Sequence, residues 1–307
     1  MKLLILGSNG LVGSSLVRNL SSNSFYDEVI ATNRQILDLF DLNHVKKFIE
    51  NNRPDVIVNA AARVGGILAN NTYRADFILE NLKININLLE AMIPYNDIKL
   101  INLGSSCIYP LNAKNPIKEE YIMTGELETT NSPYAMAKLT AIELGNSIQS
   151  QYGHQVVNLM PTNLYGPNDN FSDKESHVIP GLMGRMHNSK LGADKNFEVW
   201  GTGNPLREFL YVDDLARAIS FVIENDISDE IMNIGSNQEI SIKELVEILM
   251  KVVNFNGEIV FNGDYPDGNP RKLLDSSKIT SYGWEPQVDI SKGLELTYEW
   301  YLKNIDN

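Results

Sequence analysis

Among 307 residues there is a single cysteine, Cys107, with four histidines and three tryptophans. One thiol excludes an internal disulfide and points to a reducing, cytoplasmic home. No run of about 20 apolar residues occurs, so no membrane-spanning helix is expected. The opening MKLLILGSNG is apolar only from Leu3 to Leu6 before Gly7 and Gly10 interrupt it, too short for a secretory segment. Positive charge is scarce. The 26 Lys and Arg stand against 39 Asp and Glu, a net charge of −13, which argues against a nucleic-acid partner. Scattered histidines and one thiol have no ligand spacing, so no metal site is expected. What remains is an ordinary globular composition, 43% hydrophobic and 21% charged, sized for one large domain or two smaller ones.

Short apolar runs alternate with helical periodicity through the first half. Residues 2–6, 28–32, 55–59, 98–103 and 155–160 are apolar almost throughout, as strands covered on both faces are. Residues 11–20, 43–51, 73–93 and 132–151 have the helical period. This alternation predicts an α/β fold, a doubly wound parallel sheet with helices on both faces. From 161 to 211 the chain is rich in Pro, Gly, Asn and Asp, which signals loops around a helix at 177–189. Further on, 213–225, 241–253 and 289–303 are expected helices and 231–234 a strand. Residues 1–164 are expected to form a dinucleotide-binding domain, to which about 207–236 return. Residues 165–307 form a smaller α/β substrate region.

GSNGLVG places Gly7, Gly10 and Gly13 directly after the first strand and at the start of the first helix. Glycines let a backbone turn tightly and approach a pyrophosphate, whose charge the helix N-terminus binds. The second strand ends at Thr32-Asn33-Arg34, where an acidic residue would select NAD. An arginine there suits a 2′-phosphate, so NADP(H) is the expected cofactor. Asp38 and Leu39 are placed to bracket the adenine. Ala60 and Ala61, after the third strand, let the cofactor lie against the backbone.

SPYAMAK, residues 132–138, has helix-start signals in Ser132 and Pro133. Tyr134 and Lys138 are four apart and share a face. An ammonium beside a phenol lowers its pKa toward working pH, as proton exchange with a carbonyl requires. Ser105, at the carboxyl end of the fourth strand, can hold the same oxygen. Tyr95 and Lys99 repeat the spacing, but that copy follows Pro94 and runs into a strand, so it is a decoy.

Gly7/Gly10/Gly13, Ser105 and Tyr134/Lys138 in this order resemble the extended short-chain dehydrogenase/reductases, whose nucleotide domain is a Rossmann fold. Longer stretches, among them LGSSCIYP, MPTNLYGPNDNF, SHVIPGLMGRMH, VWGTGNPLREFLYVDDLA and PDGNPRKLLD, resemble the GDP-L-fucose synthase family across nearly the whole chain. That resemblance implies NADPH-dependent 3,5-epimerisation and 4-reduction of a GDP-4-keto-6-deoxymannose-type sugar. It implies Cys107 and His177 as acid and base at the two epimerised carbons, and Ser105, Tyr134 and Lys138 at the reduced one. It adds Leu11, Pro161 and His177 to the cofactor contacts. Asn163, Arg185, Trp200, Arg207, Arg271 and Lys272 are implied around the nucleotide sugar. It also implies a homodimer formed through helices 73–93 and 132–151 as a four-helix bundle.

Two departures stand out. Family members often carry an arginine just before the second glycine of the turn, where this chain has Asn9. The block after SHVIP is short and carries Gly181 and Gly184, so the loop bordering the sugar can differ. One rival is a reductase that acts without epimerisation on a related GDP-4-keto sugar, such as a 6-deoxy-heptose. A dehydratase would need acidic residues where Ser106 and Cys107 stand. A non-catalytic dinucleotide sensor would not need the Ser105/Tyr134/Lys138 set.

Overall fold

The computed structural model describes residues 1–172, 175–265 and 267–305. Alternation along buried strands sets its layers. Leu3, Ile5, Val58, Ile101, Val157 and Leu159 join one apolar cluster, while Leu4, Leu6, Ile57, Leu100 and Val156 join another. Side chains of period two thus feed a core on each face of one sheet. Helices Leu11–Leu20 and Val212–Glu224 cover the first face through Leu16, Leu20, Leu215, Ile219 and Val222. Helices Leu42–Asn52, Arg74–Met92 and Ser132–Tyr152 cover the second through Val45, Ile49, Leu88, Leu89, Met92 and Ile148.

The sheet has six parallel strands in the order Glu28–Thr32, Lys2–Leu6, Val56–Asn59, Lys99–Leu103, Gln155–Pro161, Ile231–Ile234. This is the doubly wound fold expected. The chain leaves Lys2–Leu6 toward one neighbour and then crosses to the other side. That reversal opens a crevice at the carboxyl ends of Lys2–Leu6 and Val56–Asn59, where such sheets bind ligands.

Polar groups cross the sheet at one level. Asn59, Asn102 and Asn158 share a register and are buried. Asn59 Nδ2 donates to Asn102 Oδ1 at 3.4 Å and to Asn85 Oδ1 at 3.1 Å. Asn102 Nδ2 donates to Asn158 Oδ1 at 2.9 Å. Buried amides are tolerable only when paired in this way.

A second core lies between helices Val178–Leu191, Ile242–Val253 and Ile290–Asn304. It also holds the parallel strand pair Asn196–Trp200 and Glu258–Asn262. Leu206–Tyr211 is the centre of a small sheet and pairs with Asn163–Tyr165, Glu239–Ser241 and Arg271–Lys272. Only after Tyr211 does the chain rejoin the large sheet, through Val212–Glu224 and Ile231–Ile234.

Three details differ from expectation. The expected helix 73–93 forms as Arg74–Met92, but an unexpected short helix, Ile67–Thr72, precedes it, with a break at Tyr73 (φ −106°, ψ 40°). Strands Asn196–Trp200 and Leu206–Tyr211 occupy a stretch whose composition signals loops. Gly181 and Gly184 lie inside helix Val178–Leu191 rather than in a loop. Asn102→Leu leaves the Asn158 Oδ1 without its donor. It should destabilise the protein by about 2 kcal/mol or more, read as a lower midpoint in urea unfolding; an unchanged midpoint would mean the ladder contributes nothing.

Candidate active site

Helix Ser132–Tyr152 begins differently from its sequence signal. Asn131 is the N-cap, without a side-chain cap, and Ser132 is already helical. Arg74 holds the entry instead, donating to the Thr129 carbonyl at 2.8 Å and the Ser132 hydroxyl at 3.1 Å. One turn on, the buried Lys138 Nζ donates to the Leu103 carbonyl at 2.7 Å. That bond ties the helix to the end of strand Lys99–Leu103, where the chain enters the short turn Ser106–Ile108. The Ser105 hydroxyl caps this turn, accepting the Cys107 amide at 3.2 Å. Lys138 Nζ lies 5.8 Å from the Tyr134 ring centre, and Phe77 meets that ring edge to face at 6.5 Å.

Electrostatics connect these groups and correct one expectation. Burial pushes the Tyr134 phenol above its ordinary value; the neighbouring Cys107 pushes it further, and a hydrogen bond with Ser105 pulls it down. Burial outweighs the positive charge of Lys138, which lies over the ring and donates to the Leu103 carbonyl. Tyr134 is therefore a protonated phenol, the acid form. Burial lowers Lys138 itself from 10.5 to about 8. The other Tyr-x-x-x-Lys pair is taken apart: Tyr95 stacks under Arg53 at 4.3 Å while Lys99 pairs with Asp226 at 2.9 Å.

His177 is the N-cap of helix Val178–Leu191. Its segment docks on glycine backbone. The Gly66 amide donates to the Glu175 carbonyl at 2.9 Å, and a Cβ on Gly66 would stand 2.4 Å from the Ser176 carbonyl oxygen. Gly65 in turn lies against Phe77, the residue that meets Tyr134 edge to face. Phe77 and Gly66, which sequence reasoning passed over, thus link the histidine segment to the phenol. A small residue pair after the third strand was the available signal.

At the crevice, Gly7 adopts φ +78°, and a Cβ there would meet Ala61 Cα at 2.8 Å and the Ala60 carbonyl at 3.0 Å. A Cβ on Gly13 would strike the Gly7 carbonyl at 2.1 Å. Near Gly10 nothing comes closer than 3.6 Å, and helix Leu11–Leu20 has neither a side-chain cap nor an acid in its first turn. An uncapped, unscreened helix N-terminus on a tight glycine turn fits a pyrophosphate. Pro161 ends the fifth strand. Arg34 is exposed, its guanidinium 4.6 Å above the Phe40 ring. Asp38 accepts the Phe40 amide, and Leu39 faces the core.

The cations of the second region divide. Lys272 and Arg207 are register partners and so lie on one face. Arg271 is held by Glu239 at 2.7 Å. Arg185 lies 5.2 Å from the Trp200 ring, which stacks on Tyr265 at 4.9 Å. Asp267 accepts the Thr202 hydroxyl at 2.6 Å and neighbours Arg207. Asn163 donates to the Glu208 carbonyl at 2.8 Å. Among the described residues no cluster of His, Cys, Asp and Glu could hold a metal.

The buried lysine gives a pH test. Its value falls on folding, so the unfolded chain binds the extra proton between 8 and 10.5. Stability from this group is lowest below the folded value and rises as pH climbs through that window. Lys138→Met removes the dependence. Its stability relative to wild type should fall by on the order of 3 kcal/mol between about pH 7 and about pH 10.5, measured by urea unfolding. A difference that stays constant would show that the ammonium carries no burial cost.

Residues 3–235 match the NAD dependent epimerase/dehydratase family. The chain is 47% identical over 306 residues to GDP-L-fucose synthase 1 of Arabidopsis thaliana, covering 100% of this chain and 94% of that one. It is 42% identical over 316 residues to GDP-L-fucose synthase of Escherichia coli K12, covering 99% and 98%. Among solved structures, a GDP-D-glycero-L-gluco-heptose synthase from Campylobacter jejuni, determined in the presence of NADPH, superposes with a TM-score of 0.88. That protein shares 34% identity, with 98% of each chain covered. With full-length identity of this order and the glycine turn, phenol, ammonium and thiol in place, the chain belongs to the GDP-L-fucose synthase family of extended short-chain dehydrogenase/reductases.

Proposed function

We propose that this chain is an NADPH-dependent 3,5-epimerase and 4-reductase of a GDP-4-keto-6-deoxymannose-type sugar, forming GDP-L-fucose or a close analogue. One observation carries the reading: the sole thiol sits beside the phenol of the Ser105, Tyr134 and Lys138 cluster. A simple ketone reductase needs that cluster but has no use for the thiol.

The residues present fit NADP(H). Gly7, Gly10, Leu11 and Gly13 would hold the pyrophosphate, Arg34 the 2′-phosphate, and Asp38 and Leu39 the adenosine. Ala60, Ala61, Pro161, Tyr134, Lys138 and His177 complete its surroundings. When bound, it supplies the hydride for the 4-keto carbon. Tyr134 gives its proton to the sugar oxygen, and Ser105 hydrogen bonds to the same oxygen. Burial keeps the phenol protonated until charge develops on that oxygen, and the Lys138 ammonium then stabilises the phenolate left behind. Before reduction, the 4-keto group acidifies the protons on C3 and C5. Cys107 and His177 exchange those protons from opposite faces of the ring. Arg207 and Lys272 hold the diphosphate, to which Arg271 could turn only by leaving Glu239. Asn163, Arg185 and Trp200 complete the sugar-nucleotide pocket.

A second reading, 4-reduction of a GDP-4-keto-heptose without epimerisation, draws on the likeness to the Campylobacter heptose synthase. We place the enzyme in the cytoplasm, where a free thiol stays reduced. As a homodimer it would cover Leu79, Ile86 and Met136, which are 54%, 41% and 45% exposed on the adjacent helices Arg74–Met92 and Ser132–Tyr152.

Light scattering should give twice the 34.4 kDa chain mass; the mass of a single chain would refute the dimer. The chemistry is tested with GDP-4-keto-6-deoxymannose in deuterated water. Tyr134→Phe should slow NADPH oxidation by about a hundredfold or more while deuterium still enters C3 and C5. Cys107→Ser should abolish incorporation at one or both carbons. Wild-type protein that reduces C4 without any exchange would establish the reductase-only reading.

A further inference from the structure

Asp169 has no assigned role, yet it is chemically conspicuous. Its side chain is 5% exposed, and its Oδ1 accepts the Asn170 amide at 2.8 Å. Its Oδ2 is buried and has no hydrogen-bond partner among the described residues. An enclosed carboxylate oxygen without a donor is costly, so a position that keeps one needs a compensating group. Among the described residues, His177 is a cation-forming neighbour, with its Nδ1 3.9 Å from Asp169 Oδ1. The histidine side chain is 45% exposed, so its ring has room to turn and close that gap.

We infer that Asp169 is a positioning residue that holds His177 as the Nδ1–H tautomer for proton exchange with the sugar ring. This rests on the proposed epimerase function. With Nδ1–H committed to the carboxylate, Nε2 is the nitrogen left with a lone pair. It takes a proton from a ring C–H, whose electron pair moves toward the carbonyl to form an enolate. The Cys107 thiol gives a proton to that carbon from the opposite face, so the centre inverts, and the imidazolium and thiolate return to neutral by proton exchange with water. The Asp169 carboxylate accepts from Nδ1–H and stabilises the imidazolium. The carboxylate touches no reacting atom and acts only through the histidine.

Nitrogen-15 NMR of the wild-type protein, with His177→Gln identifying the signal, should show His177 protonated at Nδ1 in its neutral form. An Nε2–H tautomer overturns the proposal whatever the variants do. Asp169→Asn, whose amide can donate to the ring, should shift the tautomer toward Nε2–H. It should slow deuterium incorporation at least about tenfold, with NADPH affinity, KM for the GDP-sugar and thermal midpoint unchanged. In a His177→Gln background, adding Asp169→Asn should slow exchange no further. An additional loss there, or wild-type exchange in the single variant, removes the positioning role. If the wild-type protein exchanges no deuterium, the epimerase reading fails by itself, and the tautomer alone then decides the Asp169–His177 coupling.

Discussion

The site depends on one buried hydrogen bond, from the Lys138 ammonium to the Leu103 carbonyl. A strand end leaves a carbonyl without its ladder partner, and a buried ammonium needs an acceptor; each group answers the other's cost. The bond fixes helix Ser132–Tyr152 against the carboxyl end of Lys99–Leu103. Tyr134, one turn before the lysine, then has no choice but to lie beside Ser105 and Cys107. The same enclosure explains the state of the phenol. Burial raises it more than the Ser105 hydrogen bond lowers it, so the residue rests as an acid.

Two further constraints set the cleft around that cluster. The switch in strand order puts Gly7 against Ala60 and Ala61, at contact distances no side chain could share. Glu208 fastens the second region. Its carbonyl receives Thr162 and Asn163, and its buried carboxylate receives the amides of Asn237 and Leu274. Segments distant in sequence thus meet at one acidic residue. The strand that carries Glu208 also carries Arg207, so the fastening positions the cation proposed for the diphosphate as well.

The nucleotide-binding half was legible because its signals are local. Continuous apolar runs mark strands buried on both faces, and a glycine trio between strand and helix marks a phosphate turn whatever surrounds it. Tyr134 and Lys138 declared themselves through a helical spacing, and Tyr95/Lys99 was rejected because Pro94 and a strand deny it a shared face. The second region was harder. Asn196–Trp200 and Leu206–Tyr211 are built on partners more than 30 residues away in sequence, such as Glu258–Asn262 and Arg271–Lys272. The Gly, Pro and Asn around them, as in the GTGNP that separates the two, say loop; long-range pairing overrides that signal.

The sequence alone determined the alternating architecture and the phosphate turn, because periodicity and glycine spacing are properties of short stretches, whereas Cys107 and His177 stood out only through the family resemblance. Only the tertiary structure decided how the reacting groups are charged and which are engaged. Arg271 and Arg207 look alike in sequence, yet Glu239 takes one and leaves the other beside Lys272. Asp169 is an unremarkable loop residue until the fold buries it next to His177. Burial and pairing depend on what the whole chain brings near, and no local pattern encodes that.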